Sequence, residues 1–150
     1  MRVVLQRVSE ASLRINKELK TEIQQGLVVL LGVCPNDSKD DINWLCKKIC
    51  NLRIFSDPLG KMNYSLLDIS GDLLLVSQFT LFASTKKGNR PSYLSSASPE
   101  IAVPLYQEFI KCIELELQKP ISTGIFGADM QVSLVNDGPV TIQLDSKSRT

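Results

Sequence analysis

The chain lacks histidine entirely across its 150 residues. That absence removes the Ser-His-Asp and Cys-His catalytic groups and every histidine-ligated metal site. If the chain is an enzyme, its proton transfers must run through a carboxylate, a lysine, water or the substrate. A charge excess of one sign is also lacking. Lys and Arg number 17 against 16 Asp and Glu, a net charge of +1, so the chain is no global polyanion binder and any nucleic-acid contact must come from a local patch. Long apolar runs are missing too: 27-LVVLLGV-33 is far too short to span a bilayer. The opening 1-MRVVLQRVSEASLRI-15 carries neither an apolar h-region nor a small-residue cleavage site. The expected setting is therefore the cytoplasm, with no membrane partner. Cysteine is sparse, at Cys34, Cys46, Cys50 and Cys112, and in that compartment these are expected as reduced thiols. Cys46 and Cys50 can share a helix face, but without a second ligand pair they read as small core side chains rather than a zinc site. Neither a metal nor a cofactor is expected.

What is present fits one domain over residues 1–150. A chain of this size buries roughly 68–70% of its unfolded surface and folds without staples. Strands are predicted at 2-RVVLQRV-8, 11-ASLRI-15 and 27-LVVLLGV-33, with a turn at Asn16-Lys17. In 37-DSKDDINWLCKKICNLR-53 the period changes. Ile42, Leu45, Ile49 and Leu52 fall at helical spacing, Asp37 or Ser38 suits the cap, and Asp40 and Asp41 suit the positive end of the helix dipole. Arg53-Ile54-Phe55 returns to strand and Asp57-Pro58-Leu59-Gly60 reads as a turn. A strand is predicted over 72–82, then a Ser-, Lys-, Gly- and Pro-rich loop over 84–98 of a length often tied to function. A second helix follows, capped by Ser98 with Pro99 in its first turn, unless Pro104 marks its regular start. Leu105, Phe109, Cys112 and Ile113 are its expected buried face. The end reads as strand 130-MQVSLV-135, turn 136-NDG-138 and strand 139-PVTIQLD-145. Strands dominate, two helices interrupt them, and strand and helix do not alternate regularly. The expected class is α+β, with the helices packed on a mostly antiparallel, strongly curved sheet.

Two stretches carry possible chemistry. Ser77, Gln78 and Thr80 set three polar side chains into an otherwise apolar strand. Strand alternation would turn Ser77 and Phe79 one way and Gln78 and Thr80 the other. Thr80 has no activating base in the sequence, and a threonine hydroxyl is a weak nucleophile without one. The second stretch, 136-NDGPVT-141, reads as turn chemistry leading into an edge strand. A cis Gly-Pro bond there, possible at about 5–6% frequency, would set two backbone carbonyls side by side as a rigid wall. Lys86, Lys87 and Arg90 form the densest basic cluster beside these segments, and on charge alone a solvated loop accounts for them equally well.

Taken together, 77-SQFTL-81 and 137-DGPVT-141, with 124-GIFGADMQV-132 between them and 2-RVVLQRV-8, 51-NLRIF-55 and 60-GKMNYSLLDI-69 before them, resemble the D-aminoacyl-tRNA deacylase family over nearly the whole chain. The resemblance implies a homodimer with a β-barrel-like fold. It also implies hydrolysis of the ester joining a D-amino acid, or glycine, to the terminal adenosine of tRNA. Ser77, Gln78, Phe79 and Thr80 would then be the catalytic pocket residues. Gly138 and Pro139 would be a cis gate that each subunit supplies to the other's site across the dimer and that rejects L-aminoacyl groups, Met130 a neighbouring pocket wall, and Arg7 the support of the gate. Lys86 and Lys87 would contact tRNA. Two alternatives remain beside this one: a non-catalytic nucleic-acid-binding domain using 86-KKGNR-90, and a small hydrolase of free esters or amides, which the missing histidine and the missing G-x-S-x-G elbow weaken.

Overall fold

The apolar run at 27–33 is buried along nearly its whole length because it separates two cores. In the computed structural model, which describes residues 1–149, Leu27, Val29 and Leu31 face a cluster completed by the helices. Val28 faces a second cluster with Val8, Ala11, Leu13, Leu74 and Val76. A strand covered on both faces needs no polar alternation, and each fully buried leucine or valine contributes about 1.5–3 kcal/mol.

The element order is β1 (Arg2–Ile15), β2 (Glu18–Ile23), β3 (Gly26–Gly32), α1 (Lys39–Asn51), β4 (Phe55–Ser56), β5 (Met62–Tyr64), β6 (Asp72–Ser77), a 3₁₀ turn (Phe79–Phe82), α2 (Pro99–Leu117), β7 (Ser122–Thr123) and β8 (Met130–Asp145). β1 pairs antiparallel with β2, β3 and β8, whereas β3–β6 and β6–β7 are parallel. A hydrogen-bonding contact of 2.9 Å between the hydroxyls of Thr21 on β2 and Ser122 on β7 draws the ends of this sheet together. The result is the α+β architecture expected from the sequence: a mostly antiparallel, nearly closed barrel-like sheet carrying two helices. β4 and β5 form a separate two-stranded ribbon.

Three expectations need correction. Residues 2–8 and 11–15 are one strand, β1, because β8 pairs with it from Arg2 to Ile15. Register shifts between Gln6 and Glu10 bend it, so the core parity that runs through Val3 and Leu5 passes to Val8 and then to Ala11 and Leu13. Likewise 130–145 is one strand, β8. Asn136-Asp137-Gly138 is no hairpin turn, since the residues on either side of it pair with the same neighbour. The strand expected over 72–82 stops at Ser77 and gives way to the 3₁₀ turn. As expected, α2 begins at Pro99 with Ser98 at its N-cap, and it runs on through Pro104, which lies exposed in the second turn. Its missing N–H leaves the Glu100 carbonyl without that ladder bond.

The helices bury the faces their spacing implied, with adjustments. α1 buries Ile42, Leu45, Cys46, Ile49 and Cys50, and Leu52 is half-buried. Ser38 caps α1: its backbone N–H and its hydroxyl both donate to Asp41 Oδ2, at 2.8 and 3.0 Å. α2 buries Ala102, Tyr106, Phe109, Ile113 and Leu117, while Leu105 and Cys112 are half-buried. All four cysteines are free thiols. No helix among the described residues is long and apolar enough to cross a membrane.

Candidate functional site

The site begins where β6 ends. The last ladder contact beside β3 is the Gln78 N–H donating to the Leu31 carbonyl at 2.7 Å. The chain then folds back over the end of β3, and Gly32 leaves the room. A Cβ there would stand 3.0 Å from the Gln78 carbonyl oxygen and 3.1 Å from Leu81 Cβ. Arg2 holds the turn from the other side. Its Nη1 donates to the Leu81 carbonyl at 3.2 Å and its guanidinium lies 4.7 Å from the Phe82 ring centroid.

Gln78 and Thr80 share a side as expected, but the turn brings Ser77, Gln78 and Phe79 to one cavity instead of opposite faces. Gln78 and Thr80 are in contact: Gln78 Nε2 donates to Thr80 Oγ1 at 2.5 Å. Phe79 is 55% exposed and meets Tyr93 edge-on, with ring centroids 5.0 Å apart. The backbone N–H groups of Phe79 and Thr80 have no acceptor among the described residues. They are the orphan donors that any helical start leaves.

Beside the turn lies a cavity of about 320 Å³. Ser77, Gln78 and Phe79 line one side, Met130 and Asp129 another, and Tyr106 and Phe126 stand at its base. Tyr106 donates its hydroxyl to the Leu75 carbonyl at 3.2 Å, and burial pushes its pKa up to about 12. Asp129 and Tyr106 are the titratable residues of this lining.

Gly138 and Pro139 are not in this lining. They lie on the bulged part of β8, opposite Arg7, and the peptide bond between them is cis. Met130 and Gly138 share one strand and are separated along it by roughly 25 Å. Arg7 is buried beneath this segment. Its Nη1 donates to the Ile54 carbonyl at 2.5 Å, and its Nε is 3.2 Å from both the carbonyl oxygen and a carboxylate oxygen of Asp137. Gly138 has φ +115°, and a Cβ there would fall 2.7 Å from Arg7 Nη2. Glycine is thus required both by the backbone and by the neighbour.

The family model for D-Tyr-tRNA(Tyr) deacylase matches residues 4–145. The chain belongs to that family. Among similar proteins, the D-aminoacyl-tRNA deacylase of Flavobacterium psychrophilum is 58% identical and that of Cytophaga hutchinsonii 59%, each over 99% of both chains. A solved structure described as c-Myc DNA Unwinding Element Binding Protein is 39% identical, with a TM-score of 0.92 over 97% of this chain and 98% of that one. Another, described as a probable eukaryotic D-amino acid tRNA deacylase, is 18% identical with a TM-score of 0.81 over 95% and 97%, and shows the shared fold.

Within this deacylase-family chain, the fold brings Ser77, Gln78, Phe79 and Met130 to one cavity, with Thr80 bonded to Gln78. It keeps Arg7, Gly138 and Pro139 together at a different place. Lys86 and Lys87 are exposed at the tip of a loop closed by paired backbone bonds between Ser84 and Ser92, at 2.8 and 2.9 Å, and do not line the cavity. Sequence reasoning missed Tyr93, Tyr106, Phe126 and Asp129. Tyr106 follows Ala102 and precedes Phe109 at helical spacing, so its burial was legible, but its place under the cavity depends on how α2 crosses β6.

Proposed function

We propose that this chain hydrolyses the ester of D-aminoacyl-tRNA, and of mischarged glycyl-tRNA, releasing free tRNA and the amino acid. The observation that carries this reading is the match to D-aminoacyl-tRNA deacylases over 99% of both chains. The cavity built by Ser77, Gln78 and Phe79 is consistent with it. Water attacks the ester carbonyl carbon, the bond to the ribose oxygen breaks, and that oxygen leaves with a proton. The unpaired N–H groups of Phe79 and Thr80 would stabilise the oxyanion as it forms. No histidine is available to activate the water, and the neighbouring ribose hydroxyl of the substrate would take that part. Thr80, tied to Gln78, would position rather than attack.

Selectivity would come from Gly138 and Pro139, whose backbone carbonyls would confront the substrate α-carbon. A hydrogen or a D configuration fits against them, and an L side chain collides. The family resemblance implies that a second copy of the chain supplies the gate, and the roughly 25 Å of strand between this segment and Met130 is consistent with that. The free edge of β8 supports that arrangement. β8 pairs with β1 alone among the described strands, and Leu134 and Val135 on it are exposed. A long uncovered edge of this kind favours association. Lys86 and Lys87 would meet phosphates near the acceptor end, which orients the RNA without reading its sequence. The setting would be cytoplasmic translation quality control.

The experiment is hydrolysis of D-tyrosyl-tRNA against L-tyrosyl-tRNA by the purified protein. Rapid loss of the D ester with the L ester intact is expected. Equal cleavage of both would replace the gate with a general esterase. The description of the 39%-identical structure as a DNA-element-binding protein favours a second reading, a nucleic-acid-binding domain. That reading gains if tRNA binds without turnover.

A further inference from the structure

Outside the cavity, the chain concentrates positive charge around one tryptophan. A groove of about 460 Å³ is lined by Trp44, Lys47, Lys48, Asn51, Leu52 and Arg53, and it shares no residue with the cavity beside the 3₁₀ turn. Lys48 Nζ lies 5.8 Å from the Trp44 ring centroid, and Arg149 Cζ lies 4.9 Å from it. The indole thus fixes two cations at the groove wall. Arg53 is fixed too: its Nε donates to the Asn63 carbonyl at 2.8 Å and its Nη2 to Asn63 Oδ1. These partners are neutral. None of Lys47, Lys48, Arg53 and Arg149 forms an ion pair with a carboxylate among the described residues. Asp40, the acidic residue one helical turn before Trp44, forms none either.

Lys47, Lys48, Arg53 and Arg149 are a local excess of positive charge for a chain whose net charge is +1, with Asp68 the carboxylate that feels the Arg53 charge among the described residues. Three cations and no carboxylate line the groove itself, a surface suited to an anionic ligand with repeated charges. We infer that the Trp44 groove is a second RNA-contact surface, which takes phosphodiester groups of the tRNA body while the aminoacyl end occupies the catalytic cavity. This rests on the deacylase reading above. A chain of this length is roughly 40 Å across and a folded tRNA is longer, so phosphates remote from the ester can reach another face of the protein. The contact would add affinity and orientation rather than sequence choice.

The test is steady-state hydrolysis by Lys47→Glu/Lys48→Glu and by Lys47→Gln/Lys48→Gln, each on D-tyrosyl-tRNA and on D-tyrosyl-adenosine, which lacks the tRNA body. Both lysines are exposed, so the variants should fold. The inference expects KM for D-tyrosyl-tRNA to rise about tenfold in the Glu variant and less in the Gln variant, with kcat retained. The salt slope of log kcat/KM should fall by about 1–2 as phosphate contacts are lost. Hydrolysis of D-tyrosyl-adenosine should be unchanged. An unchanged KM and salt slope on the tRNA would overturn the groove as an RNA surface and leave the deacylase reading intact. Equal losses on both substrates would also overturn it, because the lysines would then act on the cavity. Failure of the unmodified protein to cleave either D ester would reject the deacylase reading and this inference with it.

Discussion

At the scale of single residues, Gly138 combines a positive φ with a close neighbour. Its φ of +115° and the 2.7 Å approach of Arg7 Nη2 to any added Cβ leave an alanine two choices: displace Arg7 or move the Gly-Pro backbone. Arg7 cannot yield cheaply, since it bonds the carbonyls of Ile54 and Asp137 and faces the Asp137 carboxylate. Gly138→Ala should therefore shift the proposed gate while the exposed segment keeps its strand pairing. Catalytic geometry is sensitive at this scale, and an ångström of misplacement can cost about a hundredfold. The expected outcome is a loss of kcat/KM on D-tyrosyl-tRNA of about that size, with a near-native circular dichroism spectrum. Activity like that of the unsubstituted protein would remove Gly138 from the site.

Among the elements, the start of α1 carries a pH-dependent tie to the C-terminal segment. Lys147 Nζ donates to Asp41 Oδ2 at 2.7 Å, and Ser146 N–H donates to the Met1 carbonyl at 2.9 Å. Burial opposes the Asp41 charge, but hydrogen bonds from Lys147, Ser146 and Ser38 outweigh it and hold the carboxyl well below the usual range. The folded chain therefore binds fewer protons here than the unfolded chain, whose value is near 3.9. The stabilisation is complete above that ordinary value and is lost as pH falls through the folded one. Asp41→Asn should lower stability at neutral pH by about 1–2 kcal/mol, a figure reduced by the partial exposure of Lys147. It should also make the acid decline below about pH 4 shallower. Urea unfolding across pH measures both. Parallel curves for the two proteins would show that Asp41 contributes nothing through its charge.

For the whole molecule, the decisive feature is the separation of the cavity from the Gly138-Pro139 segment. Phe79→Ala should damage the cavity and Gly138→Ala the gate. If each site draws its gate from a second copy, a mixed dimer regains one sound site from two inactive parents. Random mixing should then recover about a quarter of the unsubstituted activity. Gate and cavity acting within one chain would give no recovery. Light scattering on the same samples reports the assembly.

Much of this chain was determined by local pattern. The buried run at 27–33 and the helical spacing of Ile42, Leu45 and Ile49 state their burial in the residues themselves, and the missing histidine excluded whole classes of catalysis before any fold was known. The motifs 77-SQFTL-81 and 137-DGPVT-141 pointed to the family by resemblance, which no pattern of burial supplies. Other features depended on contacts between segments far apart in sequence. Whether Phe79–Phe82 continues a strand or turns depends on Gly32 and Arg2, which leave the space and supply the anchor. Whether Asn136-Asp137-Gly138 is a turn or a bulge depends on β1, which pairs with both flanks at once. The floor of the cavity depends on where α2 crosses β6. Periodicity records which face of an element is apolar, because burial acts on each side chain separately. It carries no record of which distant backbone supplies the last hydrogen bond, and those bonds set the ends and bends of the strands that form the site.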